Sequence, residues 1–228
     1  MKNEHSDGIL LKLQMMFMTK AKKEKYKADI RRNAFALIEK EKKWGEEHTS
    51  GWGSTIEYTK HTRAIVEKVI TEYGITSMYD AACGDFVWMP LVLKNLPGDF
   101  KYIGGDIVPA LIAAHKEKYP QYEFRNIDFV YDEIPKCDLI FCRDALQHLP
   151  VEDIKIALNK FLNSGAKYLL ATTHLRRYGW RNGGDIKMAK CRDRNLMLKP
   201  YNLHDPLAVF SEQDESHKFL GLWKIQKD

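Results

Sequence analysis

Residues 77–86 read SMYDAACGDF, an apolar run that ends in an acid, small residues and a glycine. The run predicts a β-strand, and the helix that follows starts at Pro90, where the missing N–H costs nothing. The alternation repeats along the chain. Strands are predicted at 77–83, 102–107, 122–129, 138–142, 167–173, 207–212 and 218–225, and helices at 90–96, 109–118 and 150–162. This pattern predicts an α/β fold with a mostly parallel sheet and helices on both faces.

Upstream of the sheet, the pattern predicts helices over 9–18 and 24–44, then a glycine-containing break. Ser54 and Glu57 have the spacing of a capping box, which predicts a helix that begins there and stops at Gly74. We therefore expect a helical arm or cap over residues 1–50 and a main domain over 51–228.

The composition is that of a globular protein. The chain has 228 residues, of which 44% are hydrophobic and 29% charged, which excludes wholesale disorder. Its four cysteines show no C-x-x-C spacing, so a zinc knuckle or a redox dithiol is not expected. No apolar run reaches the roughly 20 residues of a membrane span. These features favour a cytoplasmic protein with no membrane partner.

Positive charge is concentrated in two zones. Residues 1–44 hold 12 basic and 6 acidic residues, and residues 175–202 hold 8 and 2, while the whole chain carries +5. A solvated helix face explains the first zone, and nucleic-acid binding is the sharper alternative. We regard a nucleic-acid partner as the less favoured interpretation.

Acidic residues end three successive predicted strands, and ligands of open α/β sheets bind at that edge. Asp80 lies in the last part of the first strand and Asp106 in that of the second, where a carboxylate suits the two hydroxyls of a ribose. Asp128 and Phe129 end the third, where a carboxylate can accept from an exocyclic amine beside a flanking ring. Arg143 follows the fourth strand.

In this combination the residues 75–175 resemble the class I S-adenosylmethionine-dependent methyltransferases. The resemblance implies a Rossmann-like, seven-stranded sheet in the order 3-2-1-4-5-7-6 and S-adenosyl-L-methionine as cofactor. It implies that Asp80 and the turn at 82–86 hold the methionine part, and that Arg143 lies beneath the sulfonium. The cofactor residues it implies around the strand ends are Asp80, Ala82, Cys83, Gly84, Phe86, Asp106, Ile107, Asp128, Phe129 and Arg143.

The first turn departs from the family pattern, which has glycine at three alternate positions. Here those positions hold Ala82, Gly84 and Phe86. A dinucleotide needs a tight glycine-rich turn at its pyrophosphate, so this turn argues against one. The D-x-x-C-G-D-F-x-W loop over 80–88 is similar to a bacterial-type subgroup of these methyltransferases.

The G-x-G-S-T segment over 51–55 extends that subgroup resemblance, which implies that it closes over the cofactor. Trp52, Ser54 and Thr55 are then cofactor candidates, and Lys60 or Arg63 could meet the cofactor carboxylate. The alternative is that Ser54 simply caps a helix. The two interpretations stay open at this point.

Two histidines are candidates for a catalytic base. His148 lies four residues after Asp144, just past the fourth strand, and His174 ends the fifth. An imidazole can remove the proton of a hydroxyl as its oxygen attacks a methyl group. Asp144 completes the candidate catalytic set. A metal would need more carboxylates close together, so none is expected.

The segment 174–205 replaces the amphipathic helix expected before the last strands, and we predict that it forms a substrate lid. Planar arginines favour carboxylate or phosphate through paired donors. The predicted substrate-binding residues are Trp180, Arg181, Asp185, Arg192 and Asn195.

Together these patterns predict a methyltransferase that moves a methyl group by SN2 to a small polar acceptor, anionic or sugar-like, at oxygen. One alternative is an RNA or protein methyltransferase guided by the basic arm, and another is a non-catalytic cofactor-binding module. The N-terminal helices are expected to cap the cofactor or to form a homodimer surface.

Overall fold

A computed structural model describes residues 18–46, 48–176, 180–212 and 217–226. The helix predicted over 9–18 lies almost wholly outside these residues. None of the described helices is long and apolar enough to cross a membrane.

The described residues form a seven-stranded sheet in the order β3-β2-β1-β4-β5-β7-β6, which confirms the predicted fold class. The first five strands are parallel, and β7 runs antiparallel to both β5 and β6. The strands are β1 (Ser77–Ala81), β2 (Lys101–Asp106), β3 (Glu123–Asn126), β4 (Leu139–Cys142), β5 (Tyr168–His174), β6 (Ala208–Ser211) and β7 (Lys218–Lys224).

Five described helices accompany the sheet. They are α1 (Lys20–Lys40), α2 (Lys60–Glu72), α3 (Met89–Leu93), α4 (Pro109–Lys118) and α5 (Val151–Leu162). Buried apolar residues cover both faces of the sheet. Val66, Val69 and Phe86 belong to one cluster, and Ile154, Leu158 and Phe161 to the other. Both faces are therefore shielded, as a parallel sheet requires.

The capping-box prediction at Ser54 is wrong. Helix α2 begins at Lys60 with Thr59 as its N-cap residue, and residues 52–54 form a short 3₁₀ turn. The Ser54 hydroxyl bonds the Gly51 carbonyl and the Asp85 carboxylate instead. The Ser54 hydroxyl, which the local spacing predicts to cap a helix, therefore bonds Asp85, a residue distant in sequence.

Two glycines let β2 pass close beneath its neighbours. A Cβ atom at Gly104 would lie 2.7 Å from the Phe124 ring, and one at Gly105 would lie 2.6 Å from the Tyr79 ring. The Gly105 carbonyl accepts hydrogen bonds from the backbone N–H groups of Ala82 and Cys83, both at 2.9 Å. These contacts fold the turn after β1 toward the end of β2 and open the site above them.

Candidate functional site

A cavity of about 510 Å³ lies at the carboxyl edge of the sheet, within the size range of small-molecule sites. The structure brings fourteen of the predicted site residues into its lining. They are Trp52, Ser54, Asp80, Ala82, Cys83, Gly84, Asp106, Ile107, Asp128, Phe129, Arg143, Asp144, His148 and His174. Residues predicted separately from five strand ends therefore share one cavity.

The turn after β1 adopts left-handed backbone conformations at the three positions where the family pattern has glycine. Ala82, Gly84 and Phe86 have φ values of +76°, +56° and +55°. Side chains rarely adopt this left-handed region, and such strain persists only where the surroundings impose it. The turn therefore has the conformation of a glycine-rich loop, with alanine and phenylalanine carrying two of the strained positions.

Backbone N–H groups hold the Asp106 carboxylate. One of its oxygens accepts from the Gly84 N–H at 3.1 Å and the other from the Val108 N–H at 2.9 Å. The Ile107 N–H also stabilises the ionised form, while burial raises the pKa of the carboxyl. Since the two oxygens together have about four lone pairs, the side chain can still accept a hydrogen bond from a ligand hydroxyl.

Asp80 is buried, with one carboxylate oxygen 2.8 Å from the Tyr102 hydroxyl that donates to it. Burial raises the pKa of this carboxyl to about 7, even though the Tyr102 hydrogen bond lowers it. Near neutral pH the carboxyl is therefore present in both its protonated and its ionised form, and a cation in the cavity would favour the ionised form.

The segment 48–54 is attached to the first turn by reciprocal hydrogen bonds. The Ser50 hydroxyl accepts from the Asp85 N–H at 2.8 Å, and the Asp85 carboxylate accepts from the Ser54 hydroxyl at 2.8 Å. Trp52 remains 73% exposed at the cavity lining and lies 4.8 Å from the Tyr58 ring. The segment forms one wall of the cavity, with Trp52 at its solvent side.

A buried network of four charges lies below this segment. Arg143 donates to Glu212 at 2.7 Å and to the Gly53 carbonyl at 3.0 Å, while Lys218 donates to Asp144 at 2.9 Å. Although burial alone would raise it, Arg143 and Lys218 hold the pKa of Asp144 well below its usual range. Asp144 is therefore a weak proton acceptor.

One donor of this network is left over. The Nη2 group of Arg143 is buried and has no hydrogen-bond partner among the described residues. Arg143 lines the cavity and is only 8% exposed. A buried N–H donor without an acceptor is costly, so the Nη2 group of Arg143 suits an anionic group of a ligand.

His148 is held in a form that can accept a proton. Its Nδ1 lies 3.2 Å from the Lys190 carbonyl, which can only accept, so Nδ1 carries the hydrogen and Nε2 keeps its lone pair. Burial lowers the pKa of the imidazole, against the opposing effect of Asp144. The Trp44 ring stacks beside it at 4.8 Å.

His174 lies deeper and is 4% exposed. Its Nδ1 contacts the backbone of Arg194, and its Nε2 lies 3.7 Å from the Asp193 carboxylate. Burial lowers the pKa of His174 as well, while Asp193 opposes that shift. Asp193 is also paired with Arg176. The two imidazoles flank the same end of the cavity.

Asp128 lines the opposite end, beside Phe129, and its carboxylate is paired with Arg31 of α1 at 2.8 Å. Sequence reasoning did not find Arg31, Trp44, Asp193 or Lys218 as lining residues. Lys218 had a usable signal. It begins an antiparallel strand opposite His174, and that register brings it to the edge where the parallel strands end.

Eight predicted site residues do not line the cavity: Thr55, Lys60, Phe86, Trp180, Arg181, Asp185, Arg192 and Asn195. Phe86 is 1% exposed in an aromatic cluster with Tyr102 and Phe124, since its left-handed backbone turns the ring into the core. Lys60 is exposed on α2, and the Thr55 hydroxyl accepts from the Tyr58 N–H.

The predicted lid residues hold their own loop together. Asp185 accepts from the Val151 N–H at the start of α5, and Asn195 exchanges hydrogen bonds with Asn182. Trp180 is half-buried, and the side chains of Arg181 and Arg192 are exposed. Among the described residues of this segment, His174, Cys191 and Asp193 line the cavity.

Solved structures of methyltransferases align with this fold. Magnesium protoporphyrin IX methyltransferase from Synechocystis PCC 6803, with bound SAM, aligns with a TM-score of 0.60 and 14% identity, over 88% of this chain and 97% of that one. N-methyltransferase NodS from Bradyrhizobium japonicum WM9, in complex with S-adenosyl-L-homocysteine, aligns with a TM-score of 0.56 and 11% identity, over 78% and 93%. The chain has the class I methyltransferase fold.

Human N-acetylserotonin methyltransferase in complex with SAM has the same fold region, with a TM-score of 0.52 and 14% identity. The match covers 73% of this chain and 55% of the human chain. No protein-family model and no curated protein sequence matches the chain. At these identities the class I methyltransferase fold is what the likeness establishes, and function must be argued from the site.

Proposed function

We propose that this protein is an S-adenosylmethionine-dependent methyltransferase and that its cavity binds the cofactor. The observation that carries the proposal is the set of three carboxylates, Asp80, Asp106 and Asp128, delivered by three neighbouring strands to one cavity. Structures with this fold and bound SAM or S-adenosyl-L-homocysteine add support.

The acceptor sites of these side chains fit the cofactor's donors. The Asp106 carboxylate has lone-pair capacity beyond what its backbone partners use, which suits the ribose hydroxyls. Asp80 is poised to ionise beside the cofactor's ammonium group. Asp128 lines the cavity together with Ile107 and Phe129 and would accept from the adenine amine.

Arg143 is the cation that we assign to the carboxylate of the cofactor's methionine part. Arg143 lines the cavity, and its buried Nη2 has no hydrogen-bond partner among the described residues. The alternatives, Lys60 and Arg63, do not line the cavity, and the Arg63 guanidinium donates to Ile56 and Thr59. Bound there, S-adenosylmethionine supplies a methyl group on a positively charged sulfur, open to attack by a nucleophile.

We assign the role of general base to His148. Its Nε2 lone pair, fixed by the Lys190 carbonyl, would take the proton of an acceptor hydroxyl. A lowered pKa keeps the imidazole neutral at physiological pH. Asp144 is paired with Arg143 and Lys218, and its role would be to fix the positions of these two side chains.

The acceptor that fits best is a small, polar, hydroxyl-bearing molecule of sugar-like character. The four charges of this network, Arg143, Lys218, Glu212 and Asp144, sum to zero, and the Nη2 donor of Arg143 is already assigned to the cofactor carboxylate, so the network offers no further cation to an anionic acceptor. Within the predicted set, we therefore favour the neutral acceptor over the anionic one.

The test is a screen of polar metabolite pools with S-adenosylmethionine carrying an isotopically labelled methyl group, read by mass spectrometry. We expect a labelled product whose formation is lost with His148→Gln and retained with Cys191→Ser, a lining residue without an assigned role. Product formation at equal rates by the His148→Gln variant would contradict the base assignment. Failure of the wild-type chain to bind the cofactor in calorimetry would contradict the proposed function itself.

A further inference from the structure

Helix α1 lines the cavity along one face. Arg31, Phe35, Ile38 and Glu39 all line it, at the spacings that place residues on the same side of a helix. Arg31 is 3% exposed although it is charged. An arginine buried this deeply on a cavity wall needs charged partners, and its partners define what it does.

Those partners are two carboxylates on different parts of the fold. Arg31 donates from Nε to Asp128 Oδ2 at 2.8 Å and from Nη1 to Asp153 Oδ2 at 3.1 Å, and its Nη2 lies 2.8 Å from Asp128 Oδ2. Asp128 follows β3, and Asp153 lies in the first turn of α5. The guanidinium therefore fixes the position of Asp128 relative to two helices.

The pairing leaves a defined acceptor on Asp128. Its Oδ2 is occupied by the two Arg31 nitrogens, and its Oδ1 accepts from the Val130 N–H at 3.0 Å. Since each carboxylate oxygen has two lone pairs, one remains on Oδ1. Such a site favours a ligand N–H donor and disfavours a ligand carbonyl.

We propose that Arg31 is a positioning residue that orients Asp128 to select an amino purine over an oxo purine, so that α1 supplies part of the base-recognition site. This inference rests on the proposed function, because it takes the adenosyl group as the ligand. Arg31 acts through Asp128 and need not touch the base itself. A lysine in its place keeps the charge but lacks the planar fork that holds two carboxylates at once.

The test compares two ligands by calorimetry: S-adenosylhomocysteine and its 6-oxo counterpart, S-inosylhomocysteine. We expect the wild-type chain to prefer the amino ligand by about tenfold to a hundredfold, the equivalent of one hydrogen bond to a charged group. Arg31→Lys should reduce that preference at least fivefold. The matched control is Arg32→Lys on the same helix, because Arg32 pairs with Asp29 and does not line the cavity, and this variant should keep the preference.

Each other outcome has a meaning. If Arg31→Lys weakens both ligands equally and keeps the wild-type ratio, Arg31 is a structural residue and the inference is wrong. If the wild-type chain binds both ligands equally, base selection by Asp128 is wrong, and so is the inference. If the wild-type chain binds neither, the proposed function itself fails. Circular dichroism and thermal unfolding of each variant establish that the compared chains are folded.

Discussion

Replacing Asp80 by asparagine should separate binding from stability, because the structure makes this carboxyl costly to ionise. Its pKa rises from 3.8 to about 7 on burial. That difference corresponds to up to about 4 kcal/mol of unfolding free energy. The native state keeps the proton between these two values while the unfolded state releases it. Wild-type stability should therefore fall as pH rises through this window and level off above about 7.

Asparagine removes the titration, so Asp80→Asn should be more stable than wild type at pH 8 in the absence of cofactor, and the difference should shrink toward pH 4. Binding should behave in the opposite way. The cofactor's ammonium group requires the ionised carboxylate, so the wild-type dissociation constant should be about eightfold weaker at pH 6 than at pH 7.5. The variant should bind weakly at both.

The assay is urea unfolding from pH 4 to 8 and calorimetric titration with S-adenosylhomocysteine in two buffers of different ionisation enthalpy. Binding at pH 6 should release a proton from the wild-type chain and none from the variant. The reasoning is refuted if Asp80→Asn is less stable than wild type at pH 8, or if it retains the wild-type pH dependence of binding. Asp85→Asn is a control for another carboxylate on the same turn.

Three further outcomes are expected. His148→Gln should lower kcat by about 10²- to 10⁴-fold with unchanged cofactor affinity, and the acid limb of the wild-type kcat profile should lie below pH 6.5, because the base must be neutral. An unchanged kcat would exclude His148 as the base. Arg143→Lys should weaken the binding of S-adenosylhomocysteine about tenfold but leave the binding of 5′-methylthioadenosine, which lacks the carboxylate, unaffected. Equal losses of affinity for both ligands would contradict the assignment of Arg143 to the cofactor carboxylate. Gly84→Ala and Gly74→Ala add the same strain, at φ +56° and +58°, of about 1–2 kcal/mol. Only the first would contact Ser50, so it alone should also weaken cofactor binding.

The sheet could be predicted from the sequence because the apolar runs that mark its strands are local patterns. Each strand is a short apolar run, and each acid that we assign to the cofactor lies at or within two residues of a strand end. A parallel sheet then brings Asp80, Asp106 and Asp128 together without further information. The family resemblance predicted the strand order 3-2-1-4-5-7-6, and the structure confirms this order.

The parts that failed depend on contacts between distant residues. Arg31 meets its partners 97 and 122 positions away, and nothing near it in the sequence distinguishes it from the exposed lysines around it. Ser54 has the local spacing of a helix cap, yet its hydroxyl bonds Asp85. In the 174–205 segment, Asp185 and Asn195 are used to hold the loop itself. Local composition does not report which side of such a loop faces a cavity.

A crystal structure of the full chain grown with S-adenosylhomocysteine would examine the ligand and its three acidic contacts in one experiment. The account predicts density along the carboxyl edge of the sheet, with the two ribose hydroxyls on the two oxygens of Asp106 and the amino group of the methionine part near Asp80. Density for the ligand anywhere else, or an empty cavity at millimolar ligand, would contradict it.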